Sequence, residues 1–309
     1  MRIGTWNLEN LFRPGESDAS PTPEVYDAKL ASLARTITLL APDALAVQEV
    51  GSPGALDDLV DRLDGPWHVA LAGPDDRGIR VGVVATSAPE SVEQVSEFPA
   101  RLGPVRVADD GATITAMGRP ALRARVGGVD LVSVHLKSKL LSYPDGRFGP
   151  RDEGERARYA VFAVHRRAAE AACVRECADG LLEGEGAEQL VVAGDLNDEP
   201  QAATTQILLG PPGSEIGTGG FDTPDSGDRA RLWNLAPLIP EEERWTRVYR
   251  GRRELIDHLL VSRAVVVRVS EVTTGGPTPQ SVTDNPLARV DVPGSDHRPV
   301  VATLDLDRA

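Results

Sequence analysis

Apolar runs that stop abruptly at an acid, an amide or a histidine recur along this chain. Val191-Val192-Ala193-Gly194 reads as a buried strand, and Asp195-Leu196-Asn197-Asp198 follows without transition. With strand geometry maintained, Asp195 and Asn197 share one side and Leu196 turns back into the core. The same junction appears at the start, where a strand over 2–6 meets Asn7. It appears again where Ala44-Leu45-Ala46-Val47 meets Gln48-Glu49, and where 129–135 ends in His135. Further strands are expected over 67–71, 79–86, 92–98, 113–115, 122–126, 245–249, 255–261, 265–269 and 300–306. Helical spacing is seen at Leu30, Leu33, Ala34, Ile37 and Leu40, and at Leu56, Leu59, Val60 and Leu63. A third helix, rich in Ala and Arg, is expected over 155–182 and a short one over 201–209. Residues 140–154, 210–230 and 273–285 read as loops.

Strands outnumber helices, and hairpins mix with helical crossovers. That pattern favours an α/β architecture of two mixed β-sheets packed face to face with helices on the outside. No linker divides the chain, so residues 1–309 are expected to form a single domain. The strand-helix-strand opening of each half hints at a duplicated arrangement.

Composition narrows the partners. Hydrophobic residues make up 41% and charged residues 26%, as in ordinary globular proteins. The net charge of -14 opposes sequence-independent adhesion to a polyphosphate backbone. A bound cation and a local basic patch can reverse that field at one site. No apolar run is long enough to span a bilayer, and the opening residues enter a strand with no signal-peptide pattern. Cys173 and Cys177 lack neighbours at zinc-ligand spacing, so free thiols and a cytoplasmic location are expected.

Asn7, Glu49, His135, Asp195, Asn197, Asp257, Asp296 and His297 all stand at or near strand ends. Taken singly, Asn7 or the Asp195 segment is an ordinary polar turn. Asp257 is harder to dismiss, because a carboxylate inside Leu-Ile-Asp-His-Leu-Leu needs a partner. Oxygen donors such as Glu49, Asp296 and the Asn7 amide suit Mg²⁺ or Mn²⁺ better than zinc. With two histidines the set fits metal-assisted phosphoester hydrolysis.

Six segments carry a family resemblance: Thr5-Trp6-Asn7-Leu8-Glu9, Val47-Gln48-Glu49-Val50, Ser133-Val134-His135-Leu136-Lys137, Gly194-Asp195-Leu196-Asn197-Asp198, Ile256-Asp257-His258-Leu259 and Gly294-Ser295-Asp296-His297-Arg298-Pro299. In that order the chain resembles the endonuclease/exonuclease/phosphatase superfamily, whose DNase I-like fold is a four-layer α/β sandwich. The resemblance implies Glu49 as principal metal carboxylate, with Asn7 and Asp296 able to share the ion. It implies that Asp195 orients or deprotonates the attacking water and that Asn197 hydrogen-bonds a phosphate oxygen. His297, oriented by Asp257, is the implied phosphate clamp or proton carrier, and His135 the contact to the scissile phosphate or the aid to the leaving group.

One departure concerns the carboxylate that usually supports a catalytic histidine. The corresponding stretch offers Arg80, read here as a phosphate clamp. Lys137, Lys139, Arg147 and Arg151 form a basic cluster, read as a phosphate-binding lid over the substrate. The expected substrate is a phosphoester: nucleic acid or nucleotide first, a small phosphorylated metabolite as the alternative, with a non-catalytic scaffold less favoured. A monomer without an obligate protein partner is expected.

Overall fold

Alternation of side chains along the central strands divides the core into three packing layers. The computed structural model describes residues 1–17, 20–183, 189–283, 285 and 288–305. One six-stranded sheet runs β15 (Val269–Thr274), β16 (Val300–Leu304), β1 (Arg2–Leu11), β2 (Ala44–Val50), β4 (Arg80–Ala85), β3 (His68–Leu71). The other runs β11 (Trp233–Asn234), β14 (Asp257–Val261), β10 (Leu190–Asp195), β9 (Val129–His135), β8 (Ala116–Val126), β5 (Ser91–Glu97). Two small ribbons pair β6 (Val105–Arg106) with β7 (Thr113–Ile114), and β12 (Arg247–Tyr249) with β13 (Arg252–Glu254).

Each large sheet has one parallel pair at its centre, β1 with β2 and β9 with β10. A parallel pair needs a long crossover. Helix α1 (Pro23–Leu40) supplies the first and α3 (Glu153–Leu182) the second. The repeated arrangement matches the duplication hinted at by the sequence. Thr22 caps α1 by accepting from the Val25 amide, Pro23 opens it, and Ala41 closes it in the left-handed region. Asp152 caps α3 through the Glu155 amide.

In β2, Ala44 and Ala46 face the opposing sheet, whereas Leu45 and Val47 face α1 and α2 (Pro53–Val60). In β10, Val191 and Ala193 face between the sheets, and Leu190 and Val192 pack against α3 with Val174 and Ala178. These three interfaces build the four-layer sandwich. Between the sheets, Gln48 accepts from Thr5 Oγ1 at 3.2 Å and donates to Ser133 Oγ at 3.3 Å. That buried polar step lies directly beneath the sheet ends.

Three expectations need correction. Of residues 265–269, read as a strand, Val265 and Val266 are buried in a short helix α6 (Arg263–Val266), a turn follows, and the strand begins only at Val269. The last strand ends at Leu304, and residue 306 lies outside the described residues. The 210–230 loop contains a short helix α5 (Gly219–Asp222), whose Phe221 packs edge-on against Trp233. Among the described residues, no helix is long and apolar enough to cross a membrane.

Candidate active site

The face that buries the core between the sheets continues, one residue further, as the site. Odd positions Val129, Leu131 and Ser133 lead to His135, and Val191 and Ala193 lead to Asp195. Leu259 and Val261 lead back to Asp257, and Ile3 and Thr5 lead to Asn7. Register places Asp195 between His135 and Asp257 on adjacent strands. Gly194 makes this pairing possible, because an added Cβ would lie 1.9 Å from the Val134 carbonyl oxygen.

Glu49 reaches the site by a different route. Alternation would send it with Leu45 and Val47 toward the helices, but its φ is 58° and the strand register shifts there. The left-handed kink turns the carboxylate inward, where it accepts from Asn7 Nδ2 at 3.1 Å and the Asn10 amide at 2.9 Å. Such backbone strain persists only where surroundings over-determine it. Asn197 is the same case: φ is 55°, its amide donates to Asp195 Oδ1 at 2.8 Å, and its side chain donates to the Leu136 carbonyl. Asn7 Nδ2 also donates to Asp195 Oδ2 at 3.1 Å, joining the two sheets.

His297 arrives from the turn before β16. Trp6 Nε1 donates to its carbonyl, and Ser295 Oγ both accepts from its amide and donates to the Asn7 carbonyl. Its Nδ1 lies 2.7 Å from Asp257 Oδ2. That leaves Nε2 facing Asp195 Oδ2 at 3.9 Å and Asp296 Oδ1 at 3.8 Å. Burial disfavours charge on this ring, but Asp257, Asp296 and Asp195 outweigh it and raise its pKa to about 10. His135 is the reverse. Burial, then Arg119, His297 and Arg77, hold it well below the ordinary histidine value. Its Nε2 lies 3.5 Å from Asp195 Oδ2, and its buried Nδ1 has no hydrogen-bond partner among the described residues. Burial and the neighbouring Asp257 push Asp195 up to about 7.

Of the residues proposed from sequence, Glu49, His135, Asp195, Asn197, Asp296, His297 and Lys139 line one cleft of about 240 Å³. Asn7 and Asp257 stand behind them, through their bonds to Glu49, Asp195 and His297. Arg80 does not face the cleft; its Nη1 donates to the Gly51 and Gly78 carbonyls, bracing two turns. Nor does the basic lid close over the site. Lys137 Nζ donates to the Leu140 carbonyl, Arg147 pairs with Glu155, and the Arg151 amide donates to Glu155 Oε2. Lys139 lies at the rim, 3.3 Å from Asp198.

The cations that do line the cleft are Arg77, Arg119, Arg247 and Arg289 besides Lys139. Arg119 donates to the His135 and Leu136 carbonyls and pairs with Asp75 at 3.0 Å. Arg289 pairs with Glu9 through two bonds of 2.6 and 3.0 Å. Their positions in mid-strand or loop carry no local pattern that could have marked them.

The donor set suits a hard cation. Glu49, Asp195 and Asp296 are oxygen donors in one cleft, and the buried Asn10 Oδ1 there has no hydrogen-bond partner among the described residues. Asp195, Asp257 and His297 also bring ligand atoms within 4.8 Å of one another. In that group Asp257 Oδ2 is already engaged by His297 Nδ1, which leaves the buried, unpartnered Asp257 Oδ1 and His297 Nε2 as the remaining ligand atoms. The Glu49 wall is the more open of the two and lines the cleft directly.

The sequence profile of the Endonuclease/Exonuclease/phosphatase family matches residues 4–297. Comparison with curated proteins found no match. Among solved structures, a 3' phosphatase from Neisseria bound to product DNA hairpin is similar over 99% of both chains, at 20% identity and a TM-score of 0.55. A Bacteroides thetaiotaomicron mannosyl-6-phosphatase is similar over 99% of both chains, at 15% identity and a TM-score of 0.54. An AP endonuclease from Archaeoglobus fulgidus likewise covers 99% of each, at 16% and 0.54.

Proposed function

We propose that this chain, which belongs to the endonuclease/exonuclease/phosphatase family, is a Mg²⁺- or Mn²⁺-dependent phosphodiesterase acting on nucleic acid or nucleotides. The family consists of phosphoester hydrolases, so the reaction class follows from membership. The observation that carries the finer reading is the meeting of Glu49, His135, Asp195 and His297 in one cleft edged by five basic side chains. Glu9, Glu49, Asp195, Glu254 and Asp296 line the same cleft, so it offers guanidinium donors for an anion beside carboxylates for a cation, the pairing a metal-bound phosphoester needs.

Glu49, assisted by Asn7 and Asp296, is the proposed cation wall. When bound, the ion neutralises charge developing on the phosphoryl oxygens. Asp195, ionised, orients the attacking water and accepts its proton. Positive charge entering the cleft favours that ionised form over the neutral one that burial imposes. His297, kept cationic by Asp257, pairs with a non-bridging phosphate oxygen through Nε2. His135, kept neutral, contacts the phosphate or the leaving group through Nε2. Asn197 has one amide hydrogen on the Leu136 carbonyl and a second available to a phosphate oxygen. Attack by water in line with the leaving group breaks the P–O bond without a covalent enzyme intermediate.

Residues 1–309 are read as one catalytic unit, since both sheets supply the cleft. Cytoplasmic residence is part of this reading, supported by the free thiols Cys173 and Cys177. The small cleft favours a second substrate class, a phosphorylated metabolite, and the similar structures include both a DNA-bound phosphatase and a sugar phosphatase. Hydrolysis of an aryl phosphodiester is expected with Mg²⁺ or Mn²⁺ and is expected to vanish in EDTA; undiminished turnover in chelator contradicts the reading. Comparing oligonucleotides with a panel of phosphorylated metabolites separates the two substrate classes.

A further inference from the structure

Residues 247–254, Arg-Val-Tyr-Arg-Gly-Arg-Arg-Glu, hold four arginines and one acid in a chain with a large acidic excess. They form the β12–β13 ribbon, turning at Arg250 and Gly251, both at positive φ. Residues opposite each other in an antiparallel pair share a face. Arg247 opposes Glu254 and Tyr249 opposes Arg252, so these four lie together, while Val248 and Arg253 occupy the other face. Arg247, Tyr249 and Glu254 line the catalytic cleft. Exposed Arg252 therefore stands on the cleft side of the ribbon, one pair beyond it. Among the described residues no ion pair engages it.

The other face has a separate duty. Arg253 lies over the Trp245 ring at 4.6 Å, and Arg298 lies over the same ring at 4.4 Å. The ribbon is also fixed to the catalytic wall. Arg247 bridges His297 in antiparallel register, the Arg298 amide donates to the Thr246 carbonyl, and Tyr249 bridges Val282. Two residues of strand carry the chain about 7 Å. Tyr249 is thus displaced about 7 Å along β12 from Arg247, and Arg252 lies across the ribbon, one strand further from His297. Tyr249 itself has the guanidinium groups of Arg247 and Arg250 near its ring, each at 5.6 Å. An aromatic side chain among arginines beside a scissile site is the combination that holds single strands without sequence preference.

We propose that this ribbon is a subsite for the phosphodiester adjoining the scissile phosphate of a single-stranded nucleic acid, with Arg252 its outermost contact. The inference rests on the phosphodiesterase reading above and narrows its substrate. A single phosphorylated metabolite has no second phosphate for Arg252.

The test measures kcat/KM with Mn²⁺ for wild type, Arg252→Ala and Arg35→Ala, the last an exposed arginine on α1. Substrates are single-stranded DNA, single-stranded RNA and an aryl phosphodiester that lacks a neighbouring phosphate. Arg252→Ala is expected to lower the ratio of oligonucleotide to aryl-diester kcat/KM about tenfold, through KM, and to make the log–log salt dependence shallower by about one. Arg35→Ala is expected to leave the ratio unchanged. An unchanged ratio in Arg252→Ala overturns the subsite, as does a wild type that hydrolyses the aryl diester but neither oligonucleotide. If wild type hydrolyses none of the three, the phosphodiesterase reading fails instead. Anisotropy of a labelled oligonucleotide then decides the subsite: binding weakened about tenfold by Arg252→Ala supports it, and no binding overturns it.

Discussion

His297 and His135 enter the same cleft from different sheets and are held in opposite states. His297 precedes β16 and rests on a buried carboxylate 2.7 Å away. His135 ends β9, its Nδ1 unpartnered among the described residues and its neighbours Arg119 and Arg77 cationic. Burial disfavours charge on both rings; the difference lies in the direct carboxylate partner, since Asp257 is 2.7 Å from His297 Nδ1, whereas His135 Nε2 comes no nearer than 3.5 Å to Asp195. One wall can therefore bring a cation to an anionic substrate, while the other brings a neutral imidazole.

Removing the stronger element should have the largest effect. His297→Ala is expected to lower kcat by about a thousandfold, and Asp257→Asn by about a hundredfold. In Asp257→Asn, NMR titration should show the His297 pKa well below about 10. An unchanged titration would break the comparison. Asp195→Asn should lower kcat by a similar thousandfold while stabilising the chelator-treated protein at pH 8 by a few degrees in Tm. That gain follows from relieving a buried carboxyl of ionisation.

Two groups of the site lose native-state stability as pH rises. His297, raised from 6.5 to about 10, contributes stability fully below pH 6.5 and loses it as pH rises through 10. Asp195, raised from 3.8 to about 7, favours the native state while neutral and loses that contribution as pH rises through 7. Lys137, lowered by burial from 10.5 to about 8, acts in the opposite sense over part of this range. The His297 contribution is therefore read as a difference: in EDTA the Tm gap between wild type and Asp257→Asn should narrow between pH 6.5 and 10. A gap that widens over this range contradicts the assignments.

Smaller effects sharpen the other wall. His135→Gln is expected to lower kcat by about tenfold to a hundredfold, without moving the His297 titration. Arg80→Ala should leave kcat/KM unchanged and lower stability by about 1 kcal/mol, through loss of its bonds to the Gly51 and Gly78 carbonyls.

Legibility in the sequence followed the physics of strands. Strand ends marked Asn7, His135, Asp195 and Asp257, because each stands where an apolar run meets a polar residue; their common face is a finding of the fold. The Asp257 partner was foreseeable too, since a carboxylate so enclosed needs one. Glu49 was legible as an oxygen donor at a strand end but not by its face, because alternation aims it at the helices and a left-handed kink reverses it. Arg80 and the lid arginines misled because closeness in sequence to a site residue does not fix where a long side chain turns. Arg119 and Arg289 reach the cleft from β8 and a distant loop, contacts of high sequence separation that no local pattern encodes. The strand expected at 265–269 failed for a related reason: a valine run suits a short buried helix as well as a strand.

The central claim is that one hard cation is held at the Glu49 wall, and calorimetric titration of Mn²⁺ into the metal-free protein tests it most directly. Wild type is expected to bind Mn²⁺ saturably, Glu49→Gln to bind at least about tenfold more weakly, and Asp257→Asn to bind nearly as wild type. Binding lost in Asp257→Asn but retained in Glu49→Gln would contradict this account and move the cation to the Asp195–Asp257–His297 group.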